Sequence, residues 1–511
     1  MHAEAASTAN PAIIPAPASL ERRRGHFVLD AQTVLVADEC TAAAAAALAD
    51  AIRPAAGFMP KIVASVPKRG RAIVLVLDSG LDQLGGEGYR VEVSSTRVAL
   101  AAPAQAGLFY AVQTLRQLLP PAIFSADPVA GVEWRIPCVS ISDRPRFAWR
   151  GLMLDTGHDF QRLSYIFRFI DLMAVHKFNV LHWHICDLGT FPLEIRGYPR
   201  LQDPACRGGR LSGTPPRPVK PGSYTQDEAR AVVAYAAARH ITVLPEIDMP
   251  GHSTPVLNAY PDLDCPVPLK PQADGVPWTE WNRWEYCLGN ERATTFLEDV
   301  LTQVLAIFPS TFVHIGGDEC PSQHWKQCPV CQAKLRSEGL DDVEELRRRF
   351  LLRIERFLAD RGRRMIGWDE IYENGVEPST AVMAWRSRLS LAAPAAAAGH
   401  DVVMAPHSHL YFDYAETTTP VEKVYAYEPV PPELTPEQAQ RVLGAQAQLW
   451  SDNHPTEAEI DRLVYPRACA AAEVVWSSPD RRDWAAFRSR LDEHARRLAL
   501  MDIVIPSSST I

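Results

Sequence analysis

The chain has no excess of positive charge. Its 52 Lys and Arg are outnumbered by 61 Asp and Glu, for a formal net charge of -9. Nucleic acid is therefore not an expected partner. No apolar run is long enough to cross a bilayer, so no membrane partner is expected either. The segment Met1 to Thr8 lacks both the basic and the apolar stretch of a secretory leader. A cytoplasmic protein fits this, as does a periplasmic or secreted one whose leader has been removed. No short internal repeat or low-complexity array is visible. Cysteine is sparse, ten in 511 residues, which excludes a disulfide scaffold. Cys265 and Cys287 flank a Pro- and Trp-rich loop and are placed for a bridge. Cys320, Cys328 and Cys331, with His324 between them, have spacing that a zinc site uses. Free thiols, or one local Cys328–Cys331 disulfide, is the plainer reading, because no second ligand pair of the ribbon type follows. No metal and no cofactor are expected.

What remains is an ordinary globular composition, 47% hydrophobic and 22% charged, in a chain long enough for a large barrel and a smaller domain. Residues 1–20, rich in Ala, Pro and Ser, read as a tail. Residues 21–138 read as a small α/β accessory domain. Its strand candidates are 34–36 and 73–77, with a hairpin over 89–93 and 98–100. Its helix candidates are 41–52 and 106–119, the second stopped by Pro120-Pro121. Residues 139–511 change to strand–loop–helix units. Apolar strands are expected at 151–155, 179–184, 241–247, 312–315, 364–367, 381–384, 401–405 and 445–449. Eight such units close a parallel (β/α)8 TIM barrel. Thr225 to Glu228 has capping-box spacing and opens a helix. Ala392 to Ala398 reads as a helix on the barrel's outside.

The stretch richest in chemistry is Phe312 to Cys320. An apolar strand ends, Gly316 and Gly317 allow a sharp turn, and Asp318 and Glu319 follow at once. Adjacent residues on an extended segment point in different directions, so the two acids need not share one role. Solvated loop acids are the alternative. Trp368, Trp385 and Trp450 stand at other strand ends, beside Asp413 and Asp452. Flat apolar walls with acids between them suit a sugar, because each buried hydroxyl needs a partner; barrel-top packing is the alternative. Cleaving a glycosidic bond takes a proton donor and something to stabilise the oxocarbenium-like centre. Adjacent rather than separated acids suit a plan in which the sugar's own 2-acetamido oxygen attacks. Glu319 would be the acid and later the base, Asp318 would hold the acetamido nitrogen, and Tyr411 the acetamido oxygen.

His314-Ile315-Gly316-Gly317-Asp318-Glu319 resembles the signature of glycoside hydrolase family 20, the β-N-acetylhexosaminidases. Ile13-Ile14-Pro15 and Ala106 to Tyr110 resemble that family's N-terminal domain. Leu181 to His184, Pro245 to His252, Gly367 to Glu370 and Tyr411 to Asp413 resemble successive strand exits. The resemblance implies Glu319 as acid/base, with Asp318 and Tyr411 on the acetamido group. It implies Asp187 and His252 as a polar pair beneath Glu319. Trp368, Trp385 and Trp450 would enclose the sugar, and Asp413 and Asp452 would take its hydroxyls. The implied partner is an oligosaccharide or glycoconjugate carrying N-acetylhexosamine, and the implied activity is exo-acting and retaining on terminal β-linked GlcNAc or GalNAc. A homodimer is among the assemblies left open. Two departures stand out. The family's Arg-His after the first strand is His158-Asp159 here, and His lacks the fork of Arg. The paired acids and Gln that follow His184 in the family are reduced to Asp187-Leu188-Gly189. The expectation is retained chemistry with a remodelled outer rim around His158.

Two rival readings use the same residues. One is a carbohydrate-binding barrel without turnover, which would tolerate loss of Glu319. The other is a metal hydrolase using His182, His184, His252 and Asp248.

Overall fold

The computed structural model describes residues 10–208, 220–268, 284–387, 391–453 and 456–504. The first nine residues of the expected tail, and residues 269–283 of the Pro- and Trp-rich loop, lie outside this set. Residues 10–18 are not a loose tail. Ile13 and Ile14 are fully buried, and Gln117 brackets Ile14, accepting from its N–H at 2.9 Å and donating to its carbonyl at 2.8 Å. Burying two isoleucines outweighs the freedom of a short Pro-rich segment.

Seven strands form the N-terminal sheet: β1 (Ser19–Leu29), β2 (Val34–Val36), β3 (Lys61–Val63), β4 (Ala72–Leu77), β5 (Tyr89–Val93), β6 (Arg97–Ala102) and β7 (Trp134–Asp143). They run in the order β1-β7-β5-β6-β4-β2-β3. The expected hairpin is the antiparallel pair β5–β6. β7 carries this sheet to Asp143, past the boundary expected at residue 138. Its alternating burial, apolar inward and polar outward, is that of a sheet with one covered face. The helices Ala42–Ala56 and Gln105–Leu118 pack on it.

Eight parallel strands then close a barrel: β8 (Trp149–Asp155), β9 (Val180–His184), β10 (Thr242–Glu246), β11 (Phe312–His314), β12 (Arg364–Trp368), β13 (Ala381–Ala384), β14 (Val402–Met404) and β15 (Val442–Ala447). All eight coincide with expected strands. Met153, Leu244, Ile366, Met383 and Val403 form a core cluster of their own, contributed by five different barrel strands. The helix Gln226–Ala237 opens with the Thr225–Glu228 capping box. The helix Ala392–Ala397 packs against β13 and β14.

Buried charges join the two units. The Arg150 guanidinium, at the base of β8, pairs with Glu87 at 2.6 Å and lies over the Trp476 ring. Lys177 meets Asp143 at 3.1 Å with neither side chain exposed. Such pairs fix orientation, since leaving either partner alone is strongly unfavourable.

No two of the ten cysteines are bonded to each other, so the bridges left open at Cys265–Cys287 and Cys328–Cys331 are not formed. Nor do Cys320 and His324 join Cys328 and Cys331. The His324 ring bonds Glu285, and the two residues that come beside Cys328 and Cys331 are Cys265 and Cys287.

Candidate active site

The C-terminal rim of the barrel holds a cavity of about 450 Å³, lined by most of the residues singled out from sequence. A larger cavity, about 730 Å³, opens at the other end of the barrel. Its charged groups Glu87, Arg364 and Asp401 are already ion-paired, and its walls are mainly apolar, so it offers little to a reacting substrate.

The floor and one side are aromatic. Trp385 is stacked on Tyr411, with ring centroids 6.2 Å apart and planes 21° from parallel. The Trp385 indole donates to Glu370 at 2.9 Å. Trp450 meets Tyr411 and the edges of His158 and His184. Trp368 does not line the cavity. It is fully buried beneath Trp450 and donates to Glu246 at 2.9 Å. Its strand is still inside the barrel at that position, so its ring belongs to the core layer below the rim. Trp284, Tyr414 and Leu188 line the cavity and were not singled out from sequence. Trp284 lies on a loop, where hydrophobic periodicity carries no signal; the tryptophan-rich character of that loop was the one available hint.

The acids come from the exit of β11. Gly316 and Gly317 have φ of +65° and +95°. A Cβ on Gly316 would stand 1.9 Å from the Asp248 carboxylate, so any other residue would be strained in this backbone region and would displace that buried acid. The turn buries Asp318 and leaves Glu319 exposed at the cavity, in the left-handed region at φ +45°. A non-glycine residue held there is strained, and such strain gathers at functional sites. His252, on the neighbouring loop, is held similarly at φ +48°. Asp318 Oδ1 is buried and finds no hydrogen-bond partner among the described residues.

Asp187 is the electrostatic hub. Its Oδ1 lies 2.8 Å from His252 Nδ1, and its Oδ2 lies 2.9 Å from His184 Nε2 and 3.3 Å from His158 Nδ1. Burial alone would raise its pKa, but His158 and His252 hold it well below the usual carboxylate range. The other face of His252 turns to Asp318, with Nε2 3.7 Å from Oδ2. The acid beside the Asp187–His252 pair is thus Asp318, at a separation longer than a hydrogen bond, where the expectation was a pair beneath Glu319. The reason is the turn itself, which aims Asp318 inward and Glu319 outward. Burial raises the Asp318 carboxyl, the nearby His252 lowers it, and Glu319 raises it again; the result is about 7.

His158 is held by Asp155, the acid that ends β8, at 2.9 Å. Burial disfavours its charge, but Asp187 and Asp155 outweigh burial and raise it to about 9. A cation therefore stands where the sequence pattern led one to expect Arg, though a shorter one. The neighbouring loop follows suit. A Cβ on Gly189 would stand 2.2 Å from the His158 carbonyl, so the Asp187-Leu188-Gly189 segment closes tightly onto the exit of β8. Asp413 and Asp452 complete the wall; burial, with Asp452 nearby, lifts Asp413 to about 7.

The four residues of the rival metal-hydrolase reading do not converge. His182 groups with Glu246 and His314, while His252 and Asp248 group with Asp318. His184 is shared between Glu246 and Asp187.

An exposed carboxyl beside a buried one, over an indole stacked on a tyrosine at the C-terminal rim of a parallel barrel, is equipment for cutting a glycosidic bond. Fold and site together define a glycoside hydrolase. The profile described as glycosyl hydrolase family 20, catalytic domain, matches residues 147–479, and that for family 20, domain 2, matches residues 10–144. The chain belongs to glycosyl hydrolase family 20 and is of the β-N-acetylhexosaminidase class. It is 38% identical to a β-hexosaminidase of Porphyromonas gingivalis, with 96% of this chain and 64% of that longer protein covered. It is 32% identical to a β-N-acetylhexosaminidase of Cellulomonas fimi, covering 95% and 93%. Among solved structures, the exo β-N-acetylglucosaminidase of Vibrio harveyi in complex with N-acetylglucosamine aligns with a TM-score of 0.85 at 29% identity, covering 97% and 78%. The family 20 β-N-acetylhexosaminidase of Streptomyces coelicolor A3(2) aligns with a TM-score of 0.82 at 29% identity, covering 98% of each chain. Among the described residues, no helix is long and apolar enough to cross a membrane.

Proposed function

We propose that the chain removes terminal β-linked N-acetylhexosamine from oligosaccharides or glycoconjugates, with retention, using the sugar's own acetamido group as nucleophile. The observation that carries this is the buried, unpartnered Asp318 Oδ1 beside exposed Glu319. A lone carboxylate oxygen in a pocket suits a donor brought by the substrate, and the acetamido N–H is such a donor. Glu319 protonates the leaving oxygen while the acetamido oxygen attacks the anomeric carbon. Asp318 accepts from the nitrogen as it becomes positive, and Tyr411 donates to the acetamido oxygen. In the second step Glu319 takes a proton from water, which opens the cyclised intermediate. Two inversions at one carbon restore its configuration.

Trp385 and Trp450 enclose the sugar, with Trp368 as the layer beneath. Asp413 and Asp452 bind hydroxyls, and the Asp187–His252 pair holds Asp318 in place. A thiazoline that mimics the cyclised intermediate should inhibit at concentrations at least a hundredfold below the KM of an aryl N-acetylglucosaminide. Inhibition no tighter than by free sugar would instead indicate an enzyme-borne nucleophile. Running paired GlcNAc and GalNAc aryl glycosides in the same assay reads the preference at the outer hydroxyls.

His158 governs that preference in this reading. As a short cation it reaches one hydroxyl where an Arg fork would reach two. His158→Ala should lower kcat/KM about tenfold, mostly through KM, because the contact is made equally in ground and transition states. Unaltered kinetics would remove His158 from the sugar site.

A further inference from the structure

Four cysteines from two separate segments that follow barrel strands meet in one buried cluster. Cys265 and Cys287 come from the segment that follows β10; Cys328 and Cys331 come from the segment that follows β11. All four are buried. Their sulfurs stand 3.7 Å apart for Cys287 and Cys328, 3.7 Å for Cys287 and Cys331, and 3.9 Å for Cys265 and Cys331. All of the sulfurs lie within 4.8 Å of one another.

These spacings have a specific meaning. Bonded sulfurs sit about 2.05 Å apart, so no pair here is a disulfide. Four sulfurs at about 2.3 Å from a central zinc ion are about 3.8 Å from each other along the edges of a tetrahedron. These three separations match the second figure. Cys328-Pro-Val-Cys331 has the two-residue spacing of a zinc-binding pair. Cys265 and Cys287 supply the second pair, which is far from it in sequence. Backbone N–H groups also point at the sulfurs: Gly289 donates to Cys331 Sγ at 3.3 Å, and Cys331 donates to Cys328 Sγ at 3.5 Å. Such donors favour thiolate over thiol and orient it toward a cation.

We propose that Cys265, Cys287, Cys328 and Cys331 bind one structural zinc ion. Binding exchanges the four thiol protons for the ion, and four protein ligands leave no open position for chemistry. The site has a position that matters. Trp284, a wall of the substrate cavity, is just before Cys287, and Glu285 beside it bonds His324 just before Cys328. The loop that starts at Asp318 and Glu319 ends at Cys328. The ion therefore ties the loop carrying His252 and Trp284 to the loop carrying both acids.

The test is metal analysis of the full chain after exchange into chelator-containing buffer. One zinc per chain is expected, and X-ray absorption should show four sulfur neighbours at about 2.3 Å. Cys287→Ser and Cys328→Ser should each lower zinc content at least tenfold, whereas Cys320→Ser should keep the full equivalent. The wild-type measurement stands by itself should either serine variant fail to fold. A metal-free protein overturns the proposal, whether its four thiols titrate freely or its mass is lower by the hydrogens lost to two disulfides. A shell containing nitrogen or oxygen overturns the ligand set, and iron in the site overturns the choice of ion.

Discussion

Glu319→Gln should lower kcat/KM at least a hundredfold on a substrate with a poor leaving group, the usual scale for a positioned general acid. Gln is nearly isosteric, so the fold and the left-handed turn at this position should survive. The diagnostic feature is how the loss depends on the leaving group. An alkyl or sugar leaving group needs its proton in the transition state; an activated aryl group hardly does. The deficit should therefore shrink as the leaving group becomes more acidic, down to the part owed to base catalysis in the second step. Equal deficits across such a series would mean that Glu319 does not deliver the proton. An unchanged rate would favour a sugar-binding barrel without turnover. In the proposed mechanism the exposure of Glu319 suits it to both proton steps, facing the leaving group and the incoming water in turn.

Asp318→Asn should lower kcat by about two to three orders of magnitude, the scale seen when a preorganised electrostatic partner is removed from a transition state. It should also stabilise the protein at alkaline pH. Burial chiefly, with Glu319 and other acids nearby, raises this carboxyl from 3.8 to about 7. A carboxyl whose pKa is raised on folding binds its proton more tightly in the folded state. Ionising it then costs stability progressively as pH rises from its unfolded to its folded value, and the cost is complete above the latter. Asn removes that cost. The gain should be about 1–3 kcal/mol at pH 8 and close to zero at pH 4. Denaturant midpoints of both proteins at the two pH values check this. A variant that is less stable at pH 8, or whose gain does not vary with pH, would contradict it. In the proposed mechanism the same ionisation sets activity: Asp318 acts as a carboxylate, so wild-type kcat/KM should fall on the acid side of about pH 7. The residual activity of Asp318→Asn should lack that limb.

Much of this was legible from residue order. The eight barrel strands are short apolar runs ended by polar or aromatic residues, and that pattern survives any detail of packing. Asp318 and Glu319 were visible because two glycines and an apolar strand precede them. Tyr411, Trp385, Trp450, Asp413 and Asp452 were visible as strand exits, and all of them line one cavity. Three things were not. Trp368 looks identical to its fellow tryptophans in sequence; only the height of β12 in the barrel puts it under the floor. The Asp187–His252 pair was expected under Glu319, and the backbone turn hands it to Asp318. The cysteines were grouped by proximity along the chain, and the fold groups them across two loops.

By itself, then, the order of residues determined the barrel, the chemistry available at its rim, and the family. Those depend on local patterning and on residue type, which the chain carries wherever it goes. Only the tertiary structure decided which acid is buried and which is exposed, that His158 is held as a cation between Asp155 and Asp187, and that four distant sulfurs come within 4.8 Å of one another. Those are facts of distance and burial, and they exist only once separate loops have been brought together.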